Sequence, residues 1–243
     1  MAGTLNSAMV LCAGLGTRMA APAKNALPKP LVQLQGKALV DHVLDRLAAT
    51  GIERAVVNVH YKADLIEKHL RARTAPRIEI SDERAALLDT GGGVRKALPR
   101  LGADAFVVHN ADSVWIEGVG SNLARLSAAW DGTAMDCLLL LALSSTSHGY
   151  QGRGDFALES DGRIRRKRVE QEIVPFAFTG VSIAHPRLLD DTPEGAFSLN
   201  RVWSRAIAAG RAHGVRMDGV WMHVGTPAAL SEAEQCLSGA QPV

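Results

Sequence analysis

The residues best suited to hold a polyanion lie near the start of the chain, in Leu11-Cys-Ala-Gly-Leu-Gly-Thr-Arg-Met19 followed by Pro28-Lys-Pro-Leu31. Small residues at Ala13, Gly14 and Gly16 let backbone N–H groups come close to a polyphosphate, while Arg18 and Lys29 bring full positive charge to the same anion. Each proline beside Lys29 fixes a φ angle, so the lysine backbone is held stiffly, a constraint from which a solvated surface lysine gains little. Together these residues describe a triphosphate cradle. The glycines alone have a second reading, because a turn from a strand into a helix needs glycine anyway. The segment lacks the Gly-Lys-Ser/Thr end of a Walker loop and the third glycine of a dinucleotide fingerprint.

The elements that must position this cradle follow a βαβ rhythm. The apolar run Ala8–Cys12 reads as a strand whose C-terminal end enters the glycine-rich loop, the place where open α/β sheets bind ligands. Within Ala38–Thr50, apolar Leu39, Val40, Val43, Leu44 and Leu47 recur at helical spacing, Gly51 stops the helix, and Ala55–Val59 follows as a strand. A helix near Ala63–Arg73, a strand at Arg77–Ser81, a helix after Gly93 and a strand at Ala105–His109 continue the pattern. Such alternation predicts a mostly parallel sheet with helices on both faces. Cys137–Leu143, seven apolar residues, reads as a strand buried on both faces, far short of the ~20 needed to span a bilayer.

After Ser144 the segments shorten to Asp155–Glu159, Arg163–Val169 and Phe178–His185, with Asp161-Gly162 as a hairpin signal, so the second half should be mixed or antiparallel. Helices near Ser198–Ala209 and Pro227–Leu237 should flank a last strand at Gly219–Val224. No repeat of fixed period and no Pro/Ser-rich linker divides the chain. The expected fold is therefore a single-domain α/β, Rossmann-like, mixed and mostly parallel sheet flanked by helices over residues 1–243.

Composition narrows the function. With 47% hydrophobic and 21% charged residues in 243, the chain is an ordinary globular protein. A net charge of +2 opposes a dominant nucleic-acid or membrane-surface field. Arg163–Arg168 places five cations in six positions, yet without a second basic cluster or interleaved aromatics it reads as a solvated strand or hairpin face that could also attract anionic substrates. The three cysteines are widely spaced with no CxxC pair, so neither a disulfide framework nor a zinc site is expected. No Lys or Arg precedes Arg18, which removes the charged start of a secretory signal and leaves a cytoplasmic protein as the expectation. No Ser-His-Asp or Cys-His pairing suggests nucleophilic catalysis.

The order of motifs resembles the sugar-phosphate nucleotidyltransferases, whose signature reads approximately LAAGxGTRxxP followed by PKPL. Leu11-Cys12-Ala13-Gly14-Leu15-Gly16-Thr17-Arg18 and Pro28-Lys29-Pro30-Leu31 supply it here. Leu88-Asp-Thr-Gly-Gly-Gly93 is similar to the family's nucleobase-contacting segment, and His109-Asn-Ala-Asp112 to its metal-binding strand end. Gly152-Arg-Gly-Asp-Phe156, Phe178-Thr-Gly-Val-Ser182 and Trp221-Met-His-Val-Gly-Thr226 complete a series running from residue 8 to about 237. The short length, the Asp-Thr-Gly-Gly-Gly run and Gly-Arg-Gly-Asp-Phe look most like the branch of bacterial N-acetylmuramate-1-phosphate uridylyltransferases, which act in cell-wall sugar recycling.

The resemblance implies that a sugar 1-phosphate attacks the α-phosphorus of a nucleoside triphosphate, with Mg²⁺ (or Mn²⁺) as cofactor. Both substrates are small molecules, neither nucleic acid nor membrane is a partner, and the oligomeric state is left open. Residues of about 8–112 would form the nucleotide-binding half and about 113–237 the sugar-binding half. Backbone around Ala13, Gly14, Gly16 and Thr17 would hold the nucleotide, Arg18 the β- and γ-phosphates, and Lys29 the charge on the α-phosphate. Arg18, Lys29 and Asp112 are thus the catalytic candidates. Gly91 and Gly92 would let the backbone approach the base, unless they merely cap the next helix. Asn110 and Asp155 suit sugar hydroxyls, and Arg153 is a candidate for a lactyl carboxylate.

Asp112 suits Mg²⁺, although an Asx turn or helix cap would also explain it. The family commonly has a second metal-binding Asp where His223 stands, so His223 is open to three roles: metal ligand, phosphate contact or structural residue. Asp218 is a weak substitute. Another base or sugar phosphate, as in mannose-, heptose- or glucose-1-phosphate enzymes, remains an alternative, as does a non-catalytic nucleotide-sugar sensor.

Overall fold

In the computed structural model, residues 5–19 and 27–239 are described; residues 20–26, which join the two parts of the phosphate segment, lie outside that set. Strands β1 (Ser7–Leu11), β2 (Gln33–Leu34), β3 (Lys37–Ala38), β4 (Arg54–Val59) and β5 (Arg77–Asp82) alternate with helices α1 (Leu39–Ala49), α2 (Ala63–Leu70) and α3 (Asp89–Leu101). Next come β6 (Phe106–Asn110), β7 (Ser113–Glu117), α4 (Asn122–Ala128), β8 (Cys137–Leu143), β9 (Phe156–Leu158), β10 (Ile164–Arg166) and β11 (Phe176–Ala184). The described chain closes with α5 (Leu199–Ala208), β12 (Ala212–Arg216), β13 (Gly219–His223) and α6 (Pro227–Gly239).

Nine strands share one sheet in the order β10-β9-β11-β6-β1-β4-β5, with β8 joined to β11 and β12 off that path. β6, β1, β4 and β5 are parallel neighbours, and β12 is parallel to β8. β11 runs against β6, β8 and β9. This is the expected mixed, mostly parallel sheet, with its antiparallel part drawn from the second half of the chain. No helix among the described residues is long and apolar enough to cross a membrane.

Side-chain alternation along the strands divides the core into two layers. In β8, Leu138, Leu140 and Ala142 face the layer covered by α1, α2 and α4, while Cys137, Leu139 and Leu141 face the layer covered by α3 and α5. The same period sends Ala8 and Val10 of β1 one way and Met9 the other. β7 pairs with β13 in a separate ribbon that packs against α6.

β7, α4 and β12 have weak signals in the sequence. β12 reads Ala-His-Gly-Val-Arg and is a strand because β8 offers it a free edge; a Cβ at its Gly214 would lie 2.6 Å from the Leu141 side chain. α3 begins at Asp89, ahead of the expected start after Gly93, so the glycine triplet lies inside its first turns. The N–H groups of Gly91 and Gly92, unpaired within the helix, donate to the Phe197 carbonyl at 2.8 and 3.1 Å. A Cβ at Gly92 would stand 2.2 Å from the Gly195 carbonyl oxygen.

In an open helix a glycine-to-alanine change stabilises by up to about 1 kcal/mol, whereas overpacking against backbone costs about 1–3 kcal/mol. Gly92→Ala should therefore lower the urea midpoint without changing the slope of the transition. A raised midpoint would show that the α3–Gly195 contact is looser than described.

Candidate active site

Leu11 at the end of β1 lies opposite Asn110 at the end of β6, so the loop after β1 and the turn after β6 emerge side by side at the C-terminal edge of the parallel strands. A cavity of about 660 Å³ opens there, lined by Ala13, Gly14, Gly16, Thr17, Arg18, Lys29, Asn110 and Asp112. A second cavity of about 310 Å³ shares Asn110 and Asp112 and adds Tyr150, Asp155, Arg166 and His223. Eight of the proposed nucleotide, sugar and catalytic residues thus meet in the larger space, and Asp155 and His223 stand in the smaller one.

Gly16 has φ +65°, and a Cβ there would be 3.1 Å from the Lys29 Cβ. Glycine therefore serves both the left-handed turn and the close approach of Lys29. Lys29 begins a single helical turn, Lys29–Leu31, entered from an extended Pro28. Its ammonium pairs with the Asp112 carboxylate, and the two side chains are only 14% and 23% exposed. A cation and an anion are thus held against each other where the two cavities join.

Two buried residues that the sequence reading overlooked tie this loop to the far wall. Asn58 Oδ1 accepts from the Cys12 N–H at 2.7 Å, and its Nδ2 donates to Glu83 Oε1 at 2.8 Å. Glu83 Oε2 accepts from the Leu88 N–H at 3.2 Å, and the Glu83 backbone carbonyl bonds His60 Nδ1 at 2.7 Å. A Cβ at Gly93 would meet Glu83 Oε1 at 2.8 Å, which accounts for the third glycine. The available signal was an asparagine inside the otherwise apolar Ala-Val-Val-Asn-Val run of β4.

Gly91 and Gly92, expected against the base, do not line the cavity; they are buried against Phe197 and Gly195. Leu87, Asp89 and Thr90 line it from that segment instead. Leu15 and Leu87 are 45% and 37% exposed, giving the cavity apolar surface for a flat ring.

The register of β13 on β7 sets His223 opposite Ser113, next to Asp112. Its N–H donates to the His148 carbonyl at 2.9 Å. Burial holds the imidazole below its ordinary range, and the nearby Asp112 charge only partly opposes this, so the ring is neutral at pH 7. Asp218 is turned away: its carboxylate accepts from the Val119 N–H at 2.7 Å and it lines neither cavity.

Asp155 Oδ2 accepts from the Phe178 N–H at 2.9 Å, and Oδ1 accepts from the Tyr150 hydroxyl at 3.4 Å. Burial, together with Asp155, pushes the Tyr150 hydroxyl up to about 12. β11 breaks register between Phe178 and Ser182, and Gly180 in that break has φ +87° with Asn110 3.0 Å from where its Cβ would be. The bulge therefore seats Asn110 at the mouth of both cavities. Arg153 is exposed and lines neither space, whereas Arg166, expected on a solvated face, lines the smaller one.

Among the described residues no three His, Cys, Asp or Glu side chains cluster as a ready-made metal cage. The Asp112 carboxylate suits a divalent cation that takes its remaining ligands from phosphate and water, as Mg²⁺ commonly does, while the His223 imidazole is a donor better suited to Mn²⁺ than to Mg²⁺.

A model of the MobA-like NTP transferase domain matches residues 8–142. The chain belongs to that family. It is 51% identical over 237 residues to the N-acetylmuramate alpha-1-phosphate uridylyltransferase of Caulobacter vibrioides, covering 96% of this chain and 97% of that one. The protein of the same name from Neisseria meningitidis serogroup B is 33% identical over 236 residues, 96% of this chain and 98% of that one. A crystal structure of UDP-glucose pyrophosphorylase complexed with UDP-glucose superimposes with a TM-score of 0.80 over 98% of this chain and 100% of that one, at 13% identity, and so shares the fold.

His109 supports the Asn110–Asp112 turn from below the surface. It is fully buried, stacks on Trp115 at 5.6 Å and 13°, and bonds the Asn110 carbonyl through Nδ1 at 2.8 Å. Burial first, and the Arg46 charge second, lower its pKa from 6.5 to about 3. Between those values the unfolded chain binds the proton and the folded one does not, so stability should fall as pH drops through this window, by up to about 1.4 kcal/mol per pH unit. His109→Phe keeps the ring stack and should flatten that part of the stability-versus-pH curve in urea melts at stepped pH; an unchanged slope would exclude His109 as its source.

Proposed function

We propose that the protein transfers the uridylyl group of UTP to N-acetylmuramate α-1-phosphate, giving UDP-N-acetylmuramate and pyrophosphate, as a cytoplasmic step in peptidoglycan sugar recycling. The observation that carries the reaction type is the Lys29–Asp112 pair at the junction of two cavities. One cavity has the loop, the cation and the apolar walls for a nucleoside triphosphate, and the other has the polar lining for a sugar phosphate. The choice of base and sugar is supported by the two relatives that carry that activity in their names over nearly their full lengths.

In this reading a phosphate oxygen of the sugar 1-phosphate attacks the α-phosphorus of UTP, and the bond to the bridging β-phosphate oxygen breaks as pyrophosphate leaves. The nucleophile is already an anion and needs no general base, so rate comes from alignment and charge neutralisation. The loop backbone at Ala13, Gly14, Gly16 and Thr17 holds the triphosphate, with Arg18 on its β- and γ-groups. Lys29 leaves Asp112 for the α-phosphate and the incoming phosphate, where it offsets the charge gathered in the transition state. Asp112, released from Lys29, together with His223 would hold Mg²⁺ or Mn²⁺. That cation supplies further positive charge against the phosphates when bound with the nucleotide. Asn110 and Asp155 orient the sugar.

Pyrophosphate release measured with Mg²⁺ for four nucleoside triphosphates against N-acetylmuramate, N-acetylglucosamine, glucose and mannose 1-phosphates should be strongest for UTP with the first. A different preferred pair would keep the mechanism and overturn the substrate assignment; silence throughout, with nucleotide still bound, would favour a sensor. Lys29→Ala should lower kcat by ~10² or more, the usual effect of removing one transition-state charge donor, and an unchanged kcat would take Lys29 out of the mechanism. His223→Asp restores a carboxylate and should lower the Mg²⁺ concentration for half-maximal rate. An unaltered or higher requirement would place His223 outside the metal's ligands.

A further inference from the structure

We propose that Arg166 is the specificity residue of the smaller cavity, receiving a carboxylate carried by the sugar ring. This rests on the reading that the acceptor is N-acetylmuramate 1-phosphate, whose lactyl ether ends in a free carboxylate. The basic run Arg163–Arg168 divides by partner. Arg163 pairs with Asp161 at 2.6 Å, and Arg165 pairs with Glu159 at 3.2 Å and Glu172 at 3.0 Å. Arg166 has no carboxylate within 4.0 Å among the described residues; its Nη2 donates to the Asn200 side-chain oxygen at 2.9 Å and to the Asn200 carbonyl at 3.3 Å. Its guanidinium carbon sits 5.1 Å from the centre of the Phe156 ring.

Arg166 is half-buried in this setting, and burial lowers its pKa despite the Asp155 charge nearby. A guanidinium removed from water and given only neutral partners is unfavourable on its own. A ligand carboxylate reverses that balance, because the planar fork of the guanidinium accepts it through two parallel charge-assisted bonds. Asp155 does not fill this role: it makes no ion pair with Arg166 within 4.0 Å, and its oxygens accept from the Phe178 N–H and the Tyr150 hydroxyl. The cavity also holds Asn110 and Asp112, the partner of Lys29, so an acceptor lying in it can present its 1-phosphate towards Lys29 and a ring substituent at Arg166. Uncarboxylated sugar phosphates would leave the guanidinium without a carboxylate in contact, which is a basis for discrimination as well as affinity.

The test is kcat/KM for wild type, Arg166→Gln and Arg166→Lys with UTP and three acceptors: N-acetylmuramate 1-phosphate, its neutral lactyl amide, and N-acetylglucosamine 1-phosphate. Arg166→Gln should cost the carboxylated acceptor ~10–100-fold more than either neutral one, the range expected for a charged hydrogen-bonded pair. Wild type should lose a similar factor on passing to the amide, while Arg166→Gln should show little of that loss, so the two changes are not additive. Arg166→Lys should recover part of the preference. Because the readout is a ratio between acceptors on one preparation, a lower yield of folded enzyme cancels. Equal losses on all three acceptors, or no loss, would overturn the role of Arg166 while leaving the substrate reading standing if wild type still prefers the carboxylated acceptor. A wild type that prefers a sugar phosphate without a carboxylate would overturn both.

Discussion

A cation and an anion held in contact, partly shielded from water, at the meeting point of two cavities constrain most of what surrounds them. Lys29 and Asp112 reach one another only because Gly16 lets the Lys29 turn approach the loop after β1 and because β6 ends beside β1. Such a pair is a poor source of stability, since removing both charges from water offsets much of their attraction. In the proposed reaction its value is chemical: once the pair parts, Lys29 is already beside the site of an incoming phosphate and Asp112 beside that of a cation.

The surrounding structure is built to keep that junction from moving. Asn58 and Glu83 link the backbone of Cys12 to that of Leu88 through a buried chain of hydrogen bonds, so the two walls of the larger cavity are braced against each other. On the other side, the β7–β13 ribbon brings His223 beside Asp112, and the Trp221 indole donates to the Ser113 hydroxyl at 3.1 Å. Buried polar chains of this kind are favourable only when their members are satisfied, which makes them stringent about geometry. Glycine reinforces this at Gly92 and Gly93, where the space a side chain would fill is occupied by the Gly195 carbonyl and the Glu83 carboxylate.

The parts of the fold with local signals were legible. The apolar run of β8 and the helical spacing in α1 each state their own burial, and the glycine-rich loop and Lys29, which stand out by residue type, line one cavity. The parts that depend on distant partners were not. β12 carries little strand character and exists through its pairing with β8. Gly91 and Gly92 look the same in sequence whether they admit a base or a neighbouring loop; the structure supplies the loop, through Phe197 and Gly195. Arg166 stands in a basic run in which Arg163 and Arg165 find carboxylates while it finds a ring and an amide.

By itself the sequence determined the sheet class, the order of its main elements and which Gly, Arg, Lys and Asp residues were candidates for one anion site, because hydrophobic periodicity and residue chemistry are local properties. Which of those groups share a cavity was decided only in three dimensions. The pairing of β1 with β6 sets Asn110 at the loop, the pairing of β7 with β13 sets His223 beside Asp112, and the bulge in β11 seats Asn110 between the cavities. Each is a matter of strand register, in which a shift of one residue would turn every side chain to the opposite face.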